Sequence, residues 1–323
     1  MLASALTLQV IALCVPFIEM SMFLHESTTY GLLTSIRLMW GSELYVIAIL
    51  IITFSVIFPF LKLSGLLLAW MVLPPGRMRT GLIGLLGRLG KWSMIDPFCV
   101  ILLVALASDQ WAVGAETQFG IFCFLCAIVL SMILSMMMIH CDRKINPPPS
   151  AIATTTFRIA TKGGLEGALV PIMLVLSIGA LILALRMPFL QVDQFLLNSN
   201  SFGIFDLCVQ LGQNKHYALA LLAWAGLFVV PAATILLEWW FWLWSAIPAR
   251  HIAHRRLVDA MYEWSMLDVF SLALVLFLLE GSRFIKTEVH EGLWFIVSAV
   301  IISQLCRRFA RRTAQRCFRR RLD

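Results

Sequence analysis

Trp92-Ser93-Met94-Ile95-Asp96-Pro97-Phe98 recurs as Trp264-Ser265-Met266-Leu267-Asp268-Val269-Phe270, 172 residues further along the chain. The same displacement pairs Pro16-Phe17 with Pro188-Phe189, Gly31 with Gly203, Tyr45 with Tyr217 and Pro59 with Pro231. It also pairs Trp70 with Trp242, Glu116 with Glu288 and Gly120 with Gly292. A register held over about 130 residues marks a duplicated unit, because chance matches drift in spacing. Features kept in both copies are candidates for architecture, and features kept in one are candidates for function.

Both copies are strongly apolar. Of the 323 residues, 60% are hydrophobic and 13% charged, with a mean hydropathy of +0.89. A soluble domain carries about a quarter charged residues. The apolar runs are long and unbroken, which favours helices over the alternating strands of a barrel. Spans are predicted near 2–24, 44–73, 92–108 and 119–140 in the first copy, and near 169–190, 216–247, 264–281 and 293–306 in the second. The expected fold is an all-α integral membrane protein with eight transmembrane helices in two tandem four-helix modules, 1–140 and 169–306. A cytoplasmic linker, 141–168, joins them, and a basic cytoplasmic tail, 307–323, follows. An even number of spans per module sets both modules in parallel orientation, with the symmetry axis along the membrane normal.

Charge sets the expected orientation. Segments 74–91, 141–168, 248–263 and the stretch from 307 hold 19 of the 25 Lys and Arg residues. The opposite side has Arg37, Arg186, Lys215, Arg283 and Lys286. Lys and Arg stay on the cytoplasmic side during insertion, so both termini are expected there. The net charge of +7 then reflects topology and anionic headgroups. No basic domain interleaved with aromatics points to nucleic acid. The first apolar run lacks a basic leader and an A-x-A-like cleavage site, and its copy lies in mid-chain at 174–196, so it is expected to be retained. Asn146-Pro147-Pro148-Pro149 and Thr154-Thr155-Thr156 mark the linker as the boundary.

Cysteines and histidines offer no enzyme or metal site. Cys123-Phe-Leu-Cys126 has metal-like spacing but lies inside an apolar run with no second pair nearby, where free Cys acts as a small apolar residue. Cys208 is the one of eight cysteines clearly in an outward loop, so no disulfide framework is implied. His25, His251, His254 and His290 fall in loops, and His140 and His216 at span ends. Phosphate-loop, His-Glu-x-x-His and Gly-x-Ser-x-Gly motifs are absent from the sequence.

The second span of each copy is too long for the bilayer. Residues 44–73 would make a helix of about 45 Å, against a hydrocarbon core of about 30 Å. Pro59 and Pro231 fall near the middle, where a missing N–H and a ring clash should kink or break the helix. The excess would tilt or bend along the interface, where Trp239, Trp240, Trp242 and Trp244 fit the headgroup level. The stretch 76–91 carries Gly76, Gly81, Gly84, Gly87 and Gly90 with Arg77, Arg79 and Arg88. It reads as an interfacial helix with a basic face rather than a hinge, its small residues permitting close helix contact. The second copy replaces four of these glycines with Ala253, Arg256, Asp259 and Tyr262.

The repeated motif has two readings. In one it is a helix start: Ser93 and Ser265 cap, Asp96 and Asp268 complete a capping box at the positive end of the helix dipole, and Trp92 and Trp264 anchor the interface. In the other, Asp96 and Asp268 face the interior and pair with a cation. Lys62, eleven residues from the cytoplasmic end of its span, is the obvious partner of Asp96. An ionisable group at that depth, roughly 16 Å by helical rise, is costly unless paired or hydrated. The alternative is a lysine snorkelling to the headgroups. The copies disagree here: Thr234 stands at the position of Lys62, and Glu238 at that of Leu66, one turn on and near Asp268. Glu238 would otherwise sit beside the interfacial tryptophans. These residues are expected to line or gate a cavity enclosed by the two modules.

Pro59-x-x-Lys62, the Pro74-Pro75-Gly76 turn, Trp92-Ser93-Met94-Ile95-Asp96 with the Val100–Leu106 run, Pro231, and Trp264–Phe270 together resemble the paraquat-inducible protein A family, which includes the LetA membrane proteins. The resemblance covers both copies. It implies a Gram-negative inner-membrane protein working beside a periplasmic MCE-domain protein that forms a lipid tunnel, and loading or receiving phospholipid for it. One feature departs: typical members carry a Cys-x-x-Cys zinc ribbon before each module, whereas Met1 here opens the first span and the linker keeps only Cys141, so zinc is not expected. The residues alone leave open a proton- or ion-coupled transporter of small molecules, or a membrane anchor that recruits a partner protein through the basic tail or the outward loops 25–43 and 191–215.

Overall fold

The computed structural model describes residues 1–22, 25–43, 45–108, 113–145, 164–193, 199–244, 257–281 and 287–319. Most of the expected linker, the basic segment before 257 and the last four residues lie outside the described residues. The protein is mostly helical. Among the described residues, six helices are long and apolar enough to cross a membrane: Ala48–Met71, Phe119–Asp142, Leu169–Arg186, Tyr217–Trp240, Leu257–Leu278 and Glu291–Thr313. The chain is therefore a multi-pass membrane protein.

Two spans expected in the first copy are shorter. Leu2–Cys14 has 13 residues and Ile95–Ser108 has 14, about 20 Å each at helical rise. Pro16 explains the first limit. The residue before a proline is driven towards extended backbone, and Val15 has φ −98° and ψ 144°. The chain continues from there as a strand.

Strands revise the all-helical expectation outside the spans. Strand Pro16–Met22 (β1) pairs antiparallel with His25–Gly31 (β2) and Val113–Thr117 (β3). Leu190–Asp193 (β4) pairs in the same way with Ser199–Phe202 (β5) and Thr287–Val289 (β6). The register repeats as well: Glu19 lies opposite Thr29 and Glu116, and Gln191 opposite Ser201 and Glu288. Each central strand directly follows an apolar helix, so a hydropathy window absorbs part of it into the span.

Both long second spans run through their prolines without a break. Tyr45–Ile51 passes into a π turn, Ile52–Ile57, and then into Phe58–Met71. Tyr217–Ala223, Trp224–Val229 and Val230–Trp244 repeat this order at the 172-residue displacement. The Phe58 and Val230 N–H groups donate to Thr53 and Ala225, five residues back. A proline ring would strike the carbonyl four residues back in a regular helix. The wider π turn just before Pro59 and Pro231 accommodates it.

By contacts the protein divides into two compact units. The first comprises Met1–Pro148, Leu207–Leu222 and Leu272–Lys286, and the second Pro149–Asp206, Ala223–Ser271 and Thr287–Asp323. In the first unit, Leu2–Cys14 packs along Phe119–Ile145, which also holds the amphipathic helix Arg77–Leu89. Leu66, Ala69, Ile83 and Met138 form the apolar contact there. In the second unit, Gly164–Arg186 packs along Glu291–Arg319. The basic stretch expected as a tail is a continuation of that last helix as far as Arg319.

The glycines of Arg77–Leu89 and its flank have different surroundings. A Cβ on Gly81 or Gly84 would meet nothing within 4 Å, whereas on Gly87 it would touch Ile139 and Ser135, and on Gly90 it would strike Lys62. Gly84→Ala is therefore expected to stabilise the protein by about 0.5–1 kcal/mol through helix propensity alone. A lower apparent melting temperature in detergent would show that this position needs the glycine.

Candidate functional site

In the first copy the site is built around Lys62. The residue is 1% exposed, and its Nζ donates to Ser131 Oγ at 3.0 Å. Ser131 in turn donates to the Ile128 carbonyl at 2.8 Å. The side chain ends against the backbone of Gly90, where any Cβ would overlap Nζ and come within 2.9 Å of Cε. This burial replaces the snorkelling alternative. Asp96 is also buried, and its Oδ2 has no hydrogen-bond partner. The ammonium expected to face Asp96 is bonded to Ser131.

The equivalent positions of the second copy gather around open space. Thr234 stands for Lys62, Tyr262 for Gly90, Ser303 for Ser131 and Asp268 for Asp96. With Ser177 and Ser265 these residues line a cavity of about 30 Å³ inside the second unit. A neighbouring pocket of about 20 Å³ adds Glu238 and Arg307 to the wall. Each volume suits about one water molecule. Thr234 donates to the Pro231 carbonyl at 2.7 Å, Ser177 to Met173 at 2.9 Å and Ser303 to Val300 at 2.9 Å. Asp268 Oδ1 accepts the Val269 N–H at 3.0 Å.

The structure thus brings together Thr234, Glu238, Ser265, Asp268 and Pro231, and it places Lys62 in the matching position of the other copy. Tyr262, Ser303, Ser177 and Gly90 belong to the same arrangement but were not singled out as site residues from sequence.

The repeated motif starts its helices differently from the expected capping box. In the first copy a 3₁₀ turn, Gly90–Met94, runs directly into Ile95–Ser108, with Ile95 at φ −57° and ψ −45°. Ser93 therefore sits inside helical backbone, whereas a cap residue is extended. In the second copy the Phe270 N–H donates to the Met266 carbonyl at 2.8 Å, and Met266 N–H donates to Gly226 O at 3.1 Å. Met266 occupies the cap position, one residue after Ser265. Asp96 and Asp268 do lie in first helical turns, where the dipole favours an acid. Trp92 and Trp264 are half-buried.

An arginine–aspartate clamp flanks each site. Arg79 Nε lies 3.2 Å from Asp142 Oδ1, with both side chains buried and the guanidinium stacked 3.9 Å over Trp70. The pair is close in charge but off the line of a hydrogen bond, since both atoms lack a hydrogen-bond partner. Thr80 donates to the other Asp142 oxygen. In the second copy Arg307 Nη2 lies 2.9 Å from Asp259 Oδ1, Arg311 contacts the same oxygen, and the Arg307 guanidinium stacks 3.7 Å over Tyr262. Each clamp joins the helix before the motif to the last helix of its copy, with the acid and base exchanged.

Searches of curated proteins and of solved structures found no match. A family model described as Paraquat-inducible protein A matches residues 1–141 and 169–317. Those two stretches contain the two copies of the repeat, and together they cover most of the 323-residue chain. The chain belongs to the paraquat-inducible protein A family.

Proposed function

We propose that this protein is the inner-membrane component of an MCE-type intermembrane phospholipid transport system, loading or receiving lipid for a periplasmic tunnel protein. In this reading it has no enzymatic role. It crosses the membrane eight times as two parallel four-helix modules, with both termini in the cytoplasm. The supporting observation is the family match across both copies. Purification from native membranes tests the reading: an MCE-domain protein and phospholipid should co-elute, and elution without them counts against it. Replacing Lys62 or Asp96 with Ala should abolish most of the protein's support of outer-membrane integrity while insertion is unchanged. Full complementation by both variants would remove these residues from the mechanism.

One observation favours a second reading, a proton- or ion-coupled transporter of small molecules. The polar cavity of the second copy has water-sized volume and is walled by Asp268 and hydroxyl groups, dimensions that suit an ion better than an acyl chain. Uptake driven by an ion gradient in vesicles and lost in Asp268→Asn would favour this reading over lipid transport.

A further inference from the structure

We propose that the exposed face of the last helix, Glu291–Arg319, holds the headgroup phosphate of an anionic phospholipid at Arg308 and Arg312. The inference rests on that helix face and stands apart from the transport reading.

The helix carries two pairs of arginines that are used differently. Arg307 and Arg311 turn to Asp259, and both meet its Oδ1. Arg308 and Arg312 are exposed, and among the described residues neither has a hydrogen-bond or ion-pair partner. Like charges four residues apart on a helix repel, so this pair weakens the helix unless an anion joins it. The pair belongs to one copy alone, since Met136 and His140 stand at these positions in the other. The residues beside them are apolar in both copies: Ile301, Leu305 and Phe309 correspond to Val129, Ile133 and Met137.

Position selects a lipid over a soluble anion. At helical spacing Ile301, Leu305, Arg308, Phe309 and Arg312 fall on one face, within about 100° of one another. Ile301 is 52% exposed, Leu305 39% and Phe309 40%. Both arginines lie within Glu291–Thr313, the stretch long and apolar enough to cross a membrane. They stand about 26 and 32 Å from its start at helical rise. The hydrocarbon core is about 30 Å thick, which sets both guanidinium groups at the headgroup level. The apolar stripe that meets acyl chains thus ends in two cations where lipid phosphates begin. A guanidinium presents a fork of N–H donors that matches phosphate oxygens. A zwitterionic lipid brings its own ammonium and leaves the surplus positive charge in place, whereas an anionic lipid neutralises it.

The test uses the full-length protein purified in non-ionic detergent, with unfolding followed by tryptophan fluorescence after adding phosphatidylglycerol or phosphatidylcholine in equal amount. Phosphatidylglycerol should raise the apparent Tm by about 3–5 °C over phosphatidylcholine. Arg308→Gln combined with Arg312→Gln should remove most of that difference. Without lipid this variant should be at least as stable as the wild type, because it loses only a repulsion. Equal wild-type Tm with the two lipids overturns the site, as does a full phosphatidylglycerol shift retained by the double variant. A double variant less stable than the wild type without lipid overturns it too, since the arginines would then serve the fold. Inorganic phosphate or a polyglutamate peptide giving the same rise would assign the face to a soluble anion or an acidic protein and overturn the lipid.

Discussion

Gly120→Ala and Gly292→Ala are each expected to lower the apparent Tm in detergent by roughly 5 °C and to cut the yield of folded protein, a loss of about 2–3 kcal/mol. A Cβ on Gly120 would stand 2.5 Å from the Pro16 carbonyl oxygen, 2.7 Å from that of Val15 and 2.8 Å from the Phe17 ring. On Gly292 it would overlap the Pro188 carbonyl oxygen and lie 2.6 Å from that of Met187. Apart from the Phe17 ring, these obstacles are backbone atoms, which cannot rotate away as a side chain would. They sit at the corner where an apolar helix gives way to a central strand. The Gln118 N–H donates to Phe17 O at 2.9 Å and the Gly292 N–H to Pro188 O at 3.0 Å, which ties the start of each last helix to that corner. Separating the two surfaces breaks these bonds and loosens the strand beyond. Gly84→Ala, at an open position of the same residue type, provides the internal control. Wild-type stability in Gly120→Ala would refute the account.

The sequence displays this pair of glycines through the repeat, but not the reason for them. Self-comparison at 172 residues identifies Gly120 with Gly292, Pro59 with Pro231 and Asp96 with Asp268 without any structural knowledge. The paired contacts are another matter. β1 lies beside β3, about a hundred residues away in sequence, and no local window reports a pairing at that distance. Hydropathy therefore assigns helix to residues that form an edge-to-edge sheet. The π turns are similarly hidden. Pro59 announces trouble for a helix, but whether the helix kinks, breaks or widens is decided by backbone relaxation around Phe58 and Thr53.

The candidate site was partly legible for the same reason. Lys62 against Thr234 and Leu66 against Glu238 were visible as disagreements between matched copies. Gly90 against Tyr262 is the same kind of signal, and the alignment contains it, yet in sequence it reads as one lost glycine among four. Its meaning depends on knowing that the Lys62 side chain ends at Gly90. The two substitutions fall at one place: a side chain at 90 would overlap the lysine, and Thr234 and Tyr262 line one cavity in the second copy. Pairing Lys62 with Asp96 was the simplest electrostatic expectation. The acceptor that Lys62 reaches on the last helix of the copy, Ser131, was not singled out in the sequence.

Removing one partner of the first-copy clamp should be the most damaging charge substitution in the protein. Asp142→Ala leaves Arg79, 5% exposed, stacked on Trp70 with its counter-charge gone. A buried charge stripped of its partner costs about 3–5 kcal/mol. The same change at Asp259 should cost far less, about 0–1 kcal/mol, because that carboxylate is 42% exposed and solvent screens its pairing with Arg307 and Arg311. Replacing both partners by apolar residues, Arg79→Met with Asp142→Leu, removes the desolvation cost along with the attraction. It should recover most of the lost stability, because the helices still pack through Leu66, Ile83 and Met138. The comparison is made by apparent Tm of the four proteins in one detergent. Equal losses for Asp142→Ala and Asp259→Ala would mean that burial does not set the strength of the clamp. A double variant as unstable as Asp142→Ala would mean that the helices are held there by charge rather than by their apolar seam.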